Sequence, residues 1–151
     1  KCRQAIVSLG LEDRVDLVGK IDHDELKALY NACECFVLPS ISRAESFGIV
    51  LAEAMACGRP VISTDIGSGT SHINIDGETG YVVPPRDAKA LAAAIARVVG
   101  DLDIQRQLGS SARRRAETSF GTDTILDQTI QLYDEIVADD RQTGASARSL
   151  G

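Results

Sequence analysis

Short apolar runs alternate with segments of helical periodicity over the first half of the chain. Four such runs, each bounded by glycine, proline or polar residues, predict strands: 15–18, 35–38, 60–64 and 80–83. Residues 24–32 and 46–57 lie between these runs and carry apolar positions at helical spacing, so we expect helices there. Strands that alternate with helices form parallel sheets that are covered on both faces. The pattern therefore predicts an α/β fold with a parallel sheet and helices on both faces.

The pattern becomes wholly helical after the last predicted strand. Amphipathic segments predict helices at 87–99, 101–118 and 122–138, and the polar, small-residue stretch 139–151 predicts a flexible tail. Nothing before residue 15 would form the opening strand and phosphate turn of a doubly wound sheet. We therefore expect one domain over residues 1–138 that is incomplete at its N-terminus.

Charge and hydropathy limit the functional classes. The 151 residues carry a formal net charge of −6, whereas nucleic-acid binding requires a surplus of lysine and arginine, so we expect no nucleic-acid partner. The sequence shows neither a signal peptide nor a long apolar span. Its cysteines also lack the regular spacing of a disulfide framework. Together these features predict a cytoplasmic protein.

The cysteines raise the question of a metal site. Cys33 and Cys35 form a C-x-C pair that Cys57 and either His23 or His72 could complete. However, Cys35 begins an apolar run and Cys57 lies on an apolar helix face, where a free thiol behaves as a small buried hydrophobe. We therefore predict free thiols, no bound metal and no cofactor.

Two glutamates, Glu45 and Glu53, are the most informative candidates for chemistry. In a continuous helix their eight-residue separation would place them about 12 Å apart along the axis and roughly 80° apart in direction. A glycosidase holds its two carboxyl groups within about 5 to 9.5 Å, so this spacing argues against one. A sugar joined through a diphosphate to a ribose fits better, because it offers hydroxyl groups at both ends of an anionic bridge.

The residues between these glutamates have the properties that such a ligand needs. The N–H groups of residues 46–49 are unpaired donors at a helix start, and Gly48 would allow the ligand to approach the backbone closely. In this hypothesis Glu45 holds the sugar and Glu53 the ribose. A structural alternative stays open, in which Glu45 and Ser46 simply begin a helix and Glu53 is solvated.

The segment 38–65, LPSISRAESFGIVLAEAMACGRPVISTD, resembles the E-x7-E signature of the family-4 retaining glycosyltransferases, also described as glycosyl transferases group 1. The likeness continues through residues 14–21, RVDLVGKI, and 25–30, ELKALY. It also includes residues 76–85, DGETGYVVPP, and 108–113, LGSSAR. The resemblance covers residues 11 to about 138. It implies a Rossmann-like, C-terminal, nucleotide-sugar-binding half of a two-domain GT-B enzyme.

The resemblance also implies roles for individual residues. Glu45 would contact the donor-sugar hydroxyls as the catalytic residue, and Glu53 would bind the ribose. The remaining implied donor contacts fall on Ser46, Phe47, Gly48, Ile49 and Val50, and on Gly19, Lys20 and Ile21, which end the first predicted strand near the nucleobase. Lys20 has an alternative interpretation as an ordinary solvated lysine beyond a strand.

Such enzymes transfer a sugar from a nucleoside diphosphate to an acceptor hydroxyl with retention and without a required metal. The acceptor-binding N-terminal domain is missing from this chain, as are an upstream arginine and lysine that neutralise the diphosphate in the family. The resemblance therefore implies that the fragment alone is inactive. A non-catalytic nucleotide-binding module or a truncated remnant is the alternative, whereas a sugar-nucleotide epimerase would need more acid and base groups.

Two further segments bear on the substrate and its location. The loop 67–71, GSGTS, has an extra residue, and His72 stands where the family usually has an acidic residue. This variant resembles mannosyl and rhamnosyl transferases of bacterial surface-polysaccharide synthesis, which implies a GDP-mannose type of donor and an acceptor sugar or lipid-linked glycan. Arg113, Arg114 and Arg115 are either a solvated helix face, which we favour, or a peripheral contact with the inner face of the membrane.

Overall fold

The computed structural model describes the backbone of residues 1–148 and the side chains of residues 1–138. The helices and strands follow in chain order: α1 Cys2–Ser8, α2 His23–Ala32, β1 Phe36–Leu38, α3 Ile49–Ala56, β2 Val61–Thr64, α4 Thr70–Ile73, β3 Gly80–Val83, α5 Ala88–Gly100, α6 Leu102–Phe120 and α7 Thr122–Arg148. This order confirms the predicted α/β fold with a helical C-terminal segment. None of these helices is long and apolar enough to cross a membrane.

The three strands form a parallel sheet in the order β1-β2-β3. Phe36 pairs with Val61 at one end of β1 and β2, and Thr64 pairs with Val83 at the end of β2 and β3. The central strand β2 is buried along its whole length, because helices cover both of its faces. The carboxyl ends of all three strands therefore meet at the same edge of the sheet.

The side chains of β2 alternate between two apolar cores, one on each face of the sheet. On one face Val61 packs with residues of α2, α3, α4 and α6, among them Tyr30, Leu51, Met55, Ile73 and Ala112. On the other face Ile62 packs with Val83 and with residues of α5 and α6: Ala94, Val98 and Leu108. This arrangement confirms the predicted parallel sheet with helices on both faces.

The strand predicted at residues 15–18 is absent from the described chain. Val15, Leu17 and Val18 are 40%, 50% and 60% exposed and join no ladder. In a doubly wound sheet of order 3-2-1-4-5-6 the third strand pairs with the second. If β1, β2 and β3 are the fourth, fifth and sixth strands of such a sheet, residues 15–18 correspond to its third strand. Among the described residues no strand precedes them to serve as the second strand, with which they would pair.

The predicted helix at 46–57 is shorter than expected. It begins at Ile49, because Gly48 adopts the left-handed conformation with φ 82° and ψ 45° and ends the preceding loop. It ends at Ala56, and Gly58, also at positive φ, completes the turn toward β2. Glu45 therefore lies in a loop, and only Glu53 lies on the helix.

The C-terminal boundary also differs from the expected one. Helix α7 extends through Arg148, so the backbone of residues 139–148 is helical where a flexible tail was expected. Residues 149–151 lie outside the described residues, and the flexibility of the tail stays a prediction.

A close contact between α6 and the turn before β2 provides a test of this packing. A Cβ atom on Gly109 would lie 2.4 Å from the carbonyl oxygen of Gly58, whereas a Cβ on Gly100, the last residue of α5, meets nothing within 4 Å. We expect Gly109→Ala to lower the free energy of unfolding by about 1 to 3 kcal/mol through overpacking. We expect the control, Gly100→Ala, to raise it by about 0.4 to 1 kcal/mol. Urea unfolding measures both changes, and equal effects of the two variants would contradict the packing of α6.

Candidate functional site

The two glutamates lie on different parts of one connection between β1 and α3. Glu45 is half-buried in the signature loop, which we define as residues 39–48, and its N–H donates to the carbonyl of Ser42 at 3.3 Å. Glu53 is half-buried on the second turn of α3. The signature loop leaves the carboxyl end of β1, where open α/β sheets bind their ligands.

The signature loop rests on the glycine loop, residues 65–69, which follows β2. The N–H of Gly69 donates to the carbonyl of Ser46 at 2.8 Å. A Cβ atom on Gly69 would lie 2.8 Å from that same oxygen, so only glycine fits there. A Cβ on Gly48 would lie 3.0 Å from Thr70 Cγ2. The glycine loop therefore supports the signature loop, which is a role that the sequence did not predict for it.

The start of α3 presents backbone N–H groups that have no internal acceptor. The first hydrogen bond of the helix runs from the N–H of Leu51 to the carbonyl of Gly48, at 2.8 Å. In the part of the chain that the structure describes, the N–H groups of residues 47–50 donate to no backbone or side-chain acceptor. Unpaired N–H groups at a helix start attract anions such as phosphate.

Glu53 has a partner that the sequence analysis missed. The hydroxyl of Tyr30, on α2, donates to Glu53 Oε2 at 3.0 Å, and Tyr30 is only 5% exposed. Its ring packs edge-on against Phe36, with the centroids 5.4 Å apart. Burial, and after it the hydrogen bond to Glu53, raises the pKa of the Tyr30 phenol well above its usual range. A buried tyrosine requires a hydrogen-bond partner, so the helical spacing of Leu26 and Tyr30 was the available signal.

Phe47 contributes an aromatic surface at the same site. Its ring meets Phe120 edge-on with the centroids 6.3 Å apart, and the His72 ring also meets Phe120 edge-on, at 6.0 Å. Phe47 and Glu53 line one cavity of about 490 Å³, together with Ile49, Ala52, Ala56, Ala116, Glu117, Phe120, Gly121, Thr122 and Ile125. The structure thus brings three of the predicted donor-binding residues, Phe47, Ile49 and Glu53, to one cavity.

The other predicted contacts lie on a separate segment. Gly19, Lys20 and Ile21 were expected to end a strand, but they follow the unpaired residues 15–18 and precede the start of α2. Lys20 is exposed and Ile21 is half-buried. The expectation of a strand end at this point is wrong because the strand itself is absent, and the role of these residues in nucleobase binding stays a prediction.

The residues considered for a metal site are dispersed. Among the described residues no group of three or more histidine, cysteine, aspartate or glutamate side chains could hold a metal ion. Cys33, Cys35 and Cys57 are half-buried free thiols. Burial raises the pKa of the Cys33 and Cys35 thiols, which favours the unreactive thiol form over the thiolate.

The three adjacent arginines of α6 are partly used within the fold. Arg113 Nε donates to Glu117 Oε1 at 2.9 Å, and Arg115 Nε donates to the carbonyl of Ile73 at 3.0 Å. Arg114 reaches Ser111 Oγ at 3.4 Å and is exposed. These contacts favour a helix face with structural partners over a membrane-binding triplet.

Comparisons with known proteins agree with this architecture. Residues 1–115 match the family described as glycosyl transferases group 1. O-antigen chain mannosyltransferase C of Escherichia coli is 37% identical over 119 residues, which are 79% of this chain and 32% of that protein.

Two solved structures extend the comparison. Sucrose-phosphate synthase of Thermosynechococcus elongatus superposes with a TM-score of 0.81 at 40% identity, over 91% of this chain and 34% of that one. Anabaena HepE in complex with UDP-glucose superposes with a TM-score of 0.80 at 29% identity, over 89% of this chain and 36% of that one. The chain spans about a third of the length of each of these three proteins. It belongs to the glycosyl transferases group 1 family and has the fold of the C-terminal domain of a GT-B glycosyltransferase.

Proposed function

We propose that this chain is the donor-binding domain of a retaining glycosyltransferase that acts in the synthesis of bacterial surface polysaccharide or another glycoconjugate. It would bind a nucleoside-diphosphate sugar, whose sugar is transferred to an acceptor hydroxyl. The observation that carries this proposal is the row of unpaired N–H groups at residues 47–50, which lies in sequence between Glu45 and Glu53. The family and the O-antigen mannosyltransferase relative support the same class of reaction.

The diphosphate is the part of the ligand that the start of α3 suits. It is anionic and can accept several hydrogen bonds from the N–H groups of residues 47–50. The positive end of the α3 dipole adds to this attraction. The flanking carboxylates then suit the two hydroxyl-bearing ends of the donor, with the sugar at Glu45 and the ribose at Glu53.

The two carboxylates differ in what they do during the reaction. Loss of the nucleoside diphosphate breaks the bond to the anomeric carbon and leaves positive charge on the sugar. The acceptor oxygen then bonds to this carbon on the same face, and its proton passes to the departing diphosphate. The Glu45 carboxylate, at the sugar end, would stabilise that charge as it develops. The Glu53 carboxylate would bind ribose hydroxyls in an orientation that the hydrogen bond from Tyr30 fixes. No metal is required for these roles.

The identity of the donor sugar is a separate part of the proposal. The E. coli relative is a mannosyltransferase, which supports a GDP-mannose type of donor, whereas the Anabaena neighbour is in complex with UDP-glucose. We propose the GDP-mannose type and keep UDP-glucose as the alternative. An acceptor-binding domain would form the other side of the cleft, with a sugar or lipid-linked glycan as acceptor, in the cytoplasm. We therefore propose that the 151 residues alone do not catalyse transfer.

The direct test is calorimetric titration of the full-length protein that contains this chain with GDP-mannose, GDP, UDP-glucose and UDP, each with and without EDTA. We expect GDP-mannose and GDP to bind, and EDTA to leave their affinities unchanged. Binding of the uridine pair instead would replace the proposed donor but keep the proposed reaction class. An absence of binding by all four ligands would overturn the proposed function.

Kinetics of two variants distinguish the proposed roles of the carboxylates. We expect Glu45→Gln to lower kcat, because it removes about 2 to 4 kcal/mol of transition-state stabilisation. We expect Glu53→Gln mainly to raise KM for the donor, because its ribose contacts are nearly equal in the ground and transition states. Glu78→Gln is the control, since Glu78 is exposed at the amino end of β3, at the opposite edge of the sheet. Equal losses of kcat in the Glu45 and Glu53 variants would show that the roles are misassigned.

The Tyr30–Glu53 contact predicts a dependence of stability on pH. The pKa of Tyr30 is raised in the folded state, so the stability from its protonated form is fully present below the unfolded pKa near 10 and decreases as the pH rises above it. We expect Tyr30→Phe to lower the free energy of unfolding by about 1 kcal/mol at pH 8. Urea unfolding from pH 8 to 11 should show this difference shrink above about pH 10. A difference that grows with pH would contradict the contact.

A further inference from the structure

Arg115 connects α6 to the short helix α4. Its side chain is half-buried, its Nε donates to the carbonyl of Ile73 at 3.0 Å, and its Nη2 donates to the carbonyl of His72. These two carbonyls belong to the last turn of α4 and, like those at any helix end, accept no hydrogen bond from within the helix. The guanidinium therefore satisfies the C-terminal end of α4 with two parallel donors, a geometry that arginine provides and lysine does not.

Helix α4 cannot hold this position by itself. It contains only four residues, far fewer than the roughly 12 to 15 that an isolated helix needs to be even marginally stable. Its place therefore depends on tertiary contacts: Ile73 packs in the core beside Val61, and Asn74, which follows it, donates to Ser63 and Tyr81. Arg115 adds hydrogen bonds to the carbonyls of its last turn.

The other end of α4 touches the signature loop. Thr70 begins the helix and its Cγ2 lies 3.0 Å from the position that a Cβ of Gly48 would occupy. Gly69, the residue before it, donates its N–H to the carbonyl of Ser46. A shift of α4 would therefore move or release the carbonyl of Ser46, which shares a peptide bond with the N–H of Phe47, and the backbone of Gly48. The N–H groups of Phe47 and Gly48 both belong to the unpaired row at residues 47–50.

A second set of contacts links the same arginine to the signature loop. The guanidinium carbon of Arg115 lies 5.6 Å from the centre of the Phe120 ring, within cation–π range. The Phe120 ring meets Phe47 edge-on on one side and His72 on another. Arg115 thus contacts both the helix that supports Ser46 and the ring that supports Phe47.

We propose that Arg115 is a positioning residue for the donor diphosphate, acting through α4, Gly69 and Phe120 on the N–H groups of residues 47–50. The inference rests on the proposed function, in which those N–H groups bind the diphosphate. Arg115 does not itself touch the donor. Removal of the Arg115 side chain would misplace the N–H groups that hydrogen-bond to the diphosphate. Small misplacements of binding groups lower rates and affinities steeply.

The test compares Arg115→Met with Arg114→Met in the full-length protein. Both changes remove one positive charge from the same helix, but the Arg114 side chain is exposed and, among the described residues, donates only to Ser111 Oγ within α6. We expect Arg115→Met to weaken binding of GDP, or of UDP if that is the base bound, by about tenfold while affinity for the corresponding nucleoside is unchanged. Arg114→Met should leave both affinities unchanged. Arg115→Lys should recover only part of the loss, because lysine offers no fork of two donors.

Hydrogen exchange gives a readout that does not depend on the ligand. Peptides that cover residues 42–50 and 67–74 should exchange faster in Arg115→Met than in the wild type, and no faster in Arg114→Met. Equal affinities in the two methionine variants, or a lower melting temperature of Arg115→Met with unchanged affinity and exchange, would overturn the positioning role. If the wild type binds neither diphosphate, the proposed function fails and this inference fails with it.

Discussion

The hydrogen bond from the N–H of Gly69 to the carbonyl of Ser46 joins the loops that follow β1 and β2, and the candidate site depends on this contact. Neither loop contains a helix or strand that could hold its backbone in place: residues 39–48 run to the start of α3 and residues 65–69 to the start of α4. Close approach is possible since residue 69 has no Cβ, which would otherwise lie 2.8 Å from the Ser46 oxygen. The backbone of one loop therefore fixes the backbone of the other, and the unpaired N–H groups at α3 depend on both.

The sheet determines that these two loops are neighbours, and a buried polar network keeps them there. Parallel strands in the order β1-β2-β3 place the loops that follow adjacent strands side by side. Beyond α4, the amide of Asn74 donates to Ser63 Oγ at 2.8 Å and to the carbonyl of Tyr81 at 3.0 Å, and it accepts from the Thr79 hydroxyl at 2.9 Å. Asn74 and Thr79 are almost completely buried, so unpaired polar groups there would be costly. The segment after α4 is thus tied to both β2 and β3.

Features that depend on residues close together in sequence were predicted, whereas features that depend on distant residues were not. Local periodicity predicted β2, β3 and the helices from α5 onward. The structure adds that Asp87 and Asp101 cap two of these helices, which is again a contact within a few residues. The strand at 15–18 was predicted wrongly, because an apolar run becomes a strand only when another strand pairs with it. Tyr30 was missed since its partner Glu53 is 23 residues away in sequence. The late start of α3 depends on the left-handed conformation of Gly48, where a Cβ would also crowd Leu51 and, from another part of the fold, Thr70.

This late start changes how the two carboxylates are held. The helical estimate of their separation applies only from Ile49 to Glu53, four residues or about 6 Å of rise. The position of Glu53 is therefore set by α3, which packs against the sheet, and by Tyr30, so it is fixed by the core of the domain. The position of Glu45 is set by the signature loop and hence by contacts with the glycine loop and α4. Under the proposed function, substitutions in residues 65–73 would then alter the sugar end of the donor site while the ribose end keeps its geometry. The extra residue and His72 lie in this same segment, which supports the signature loop.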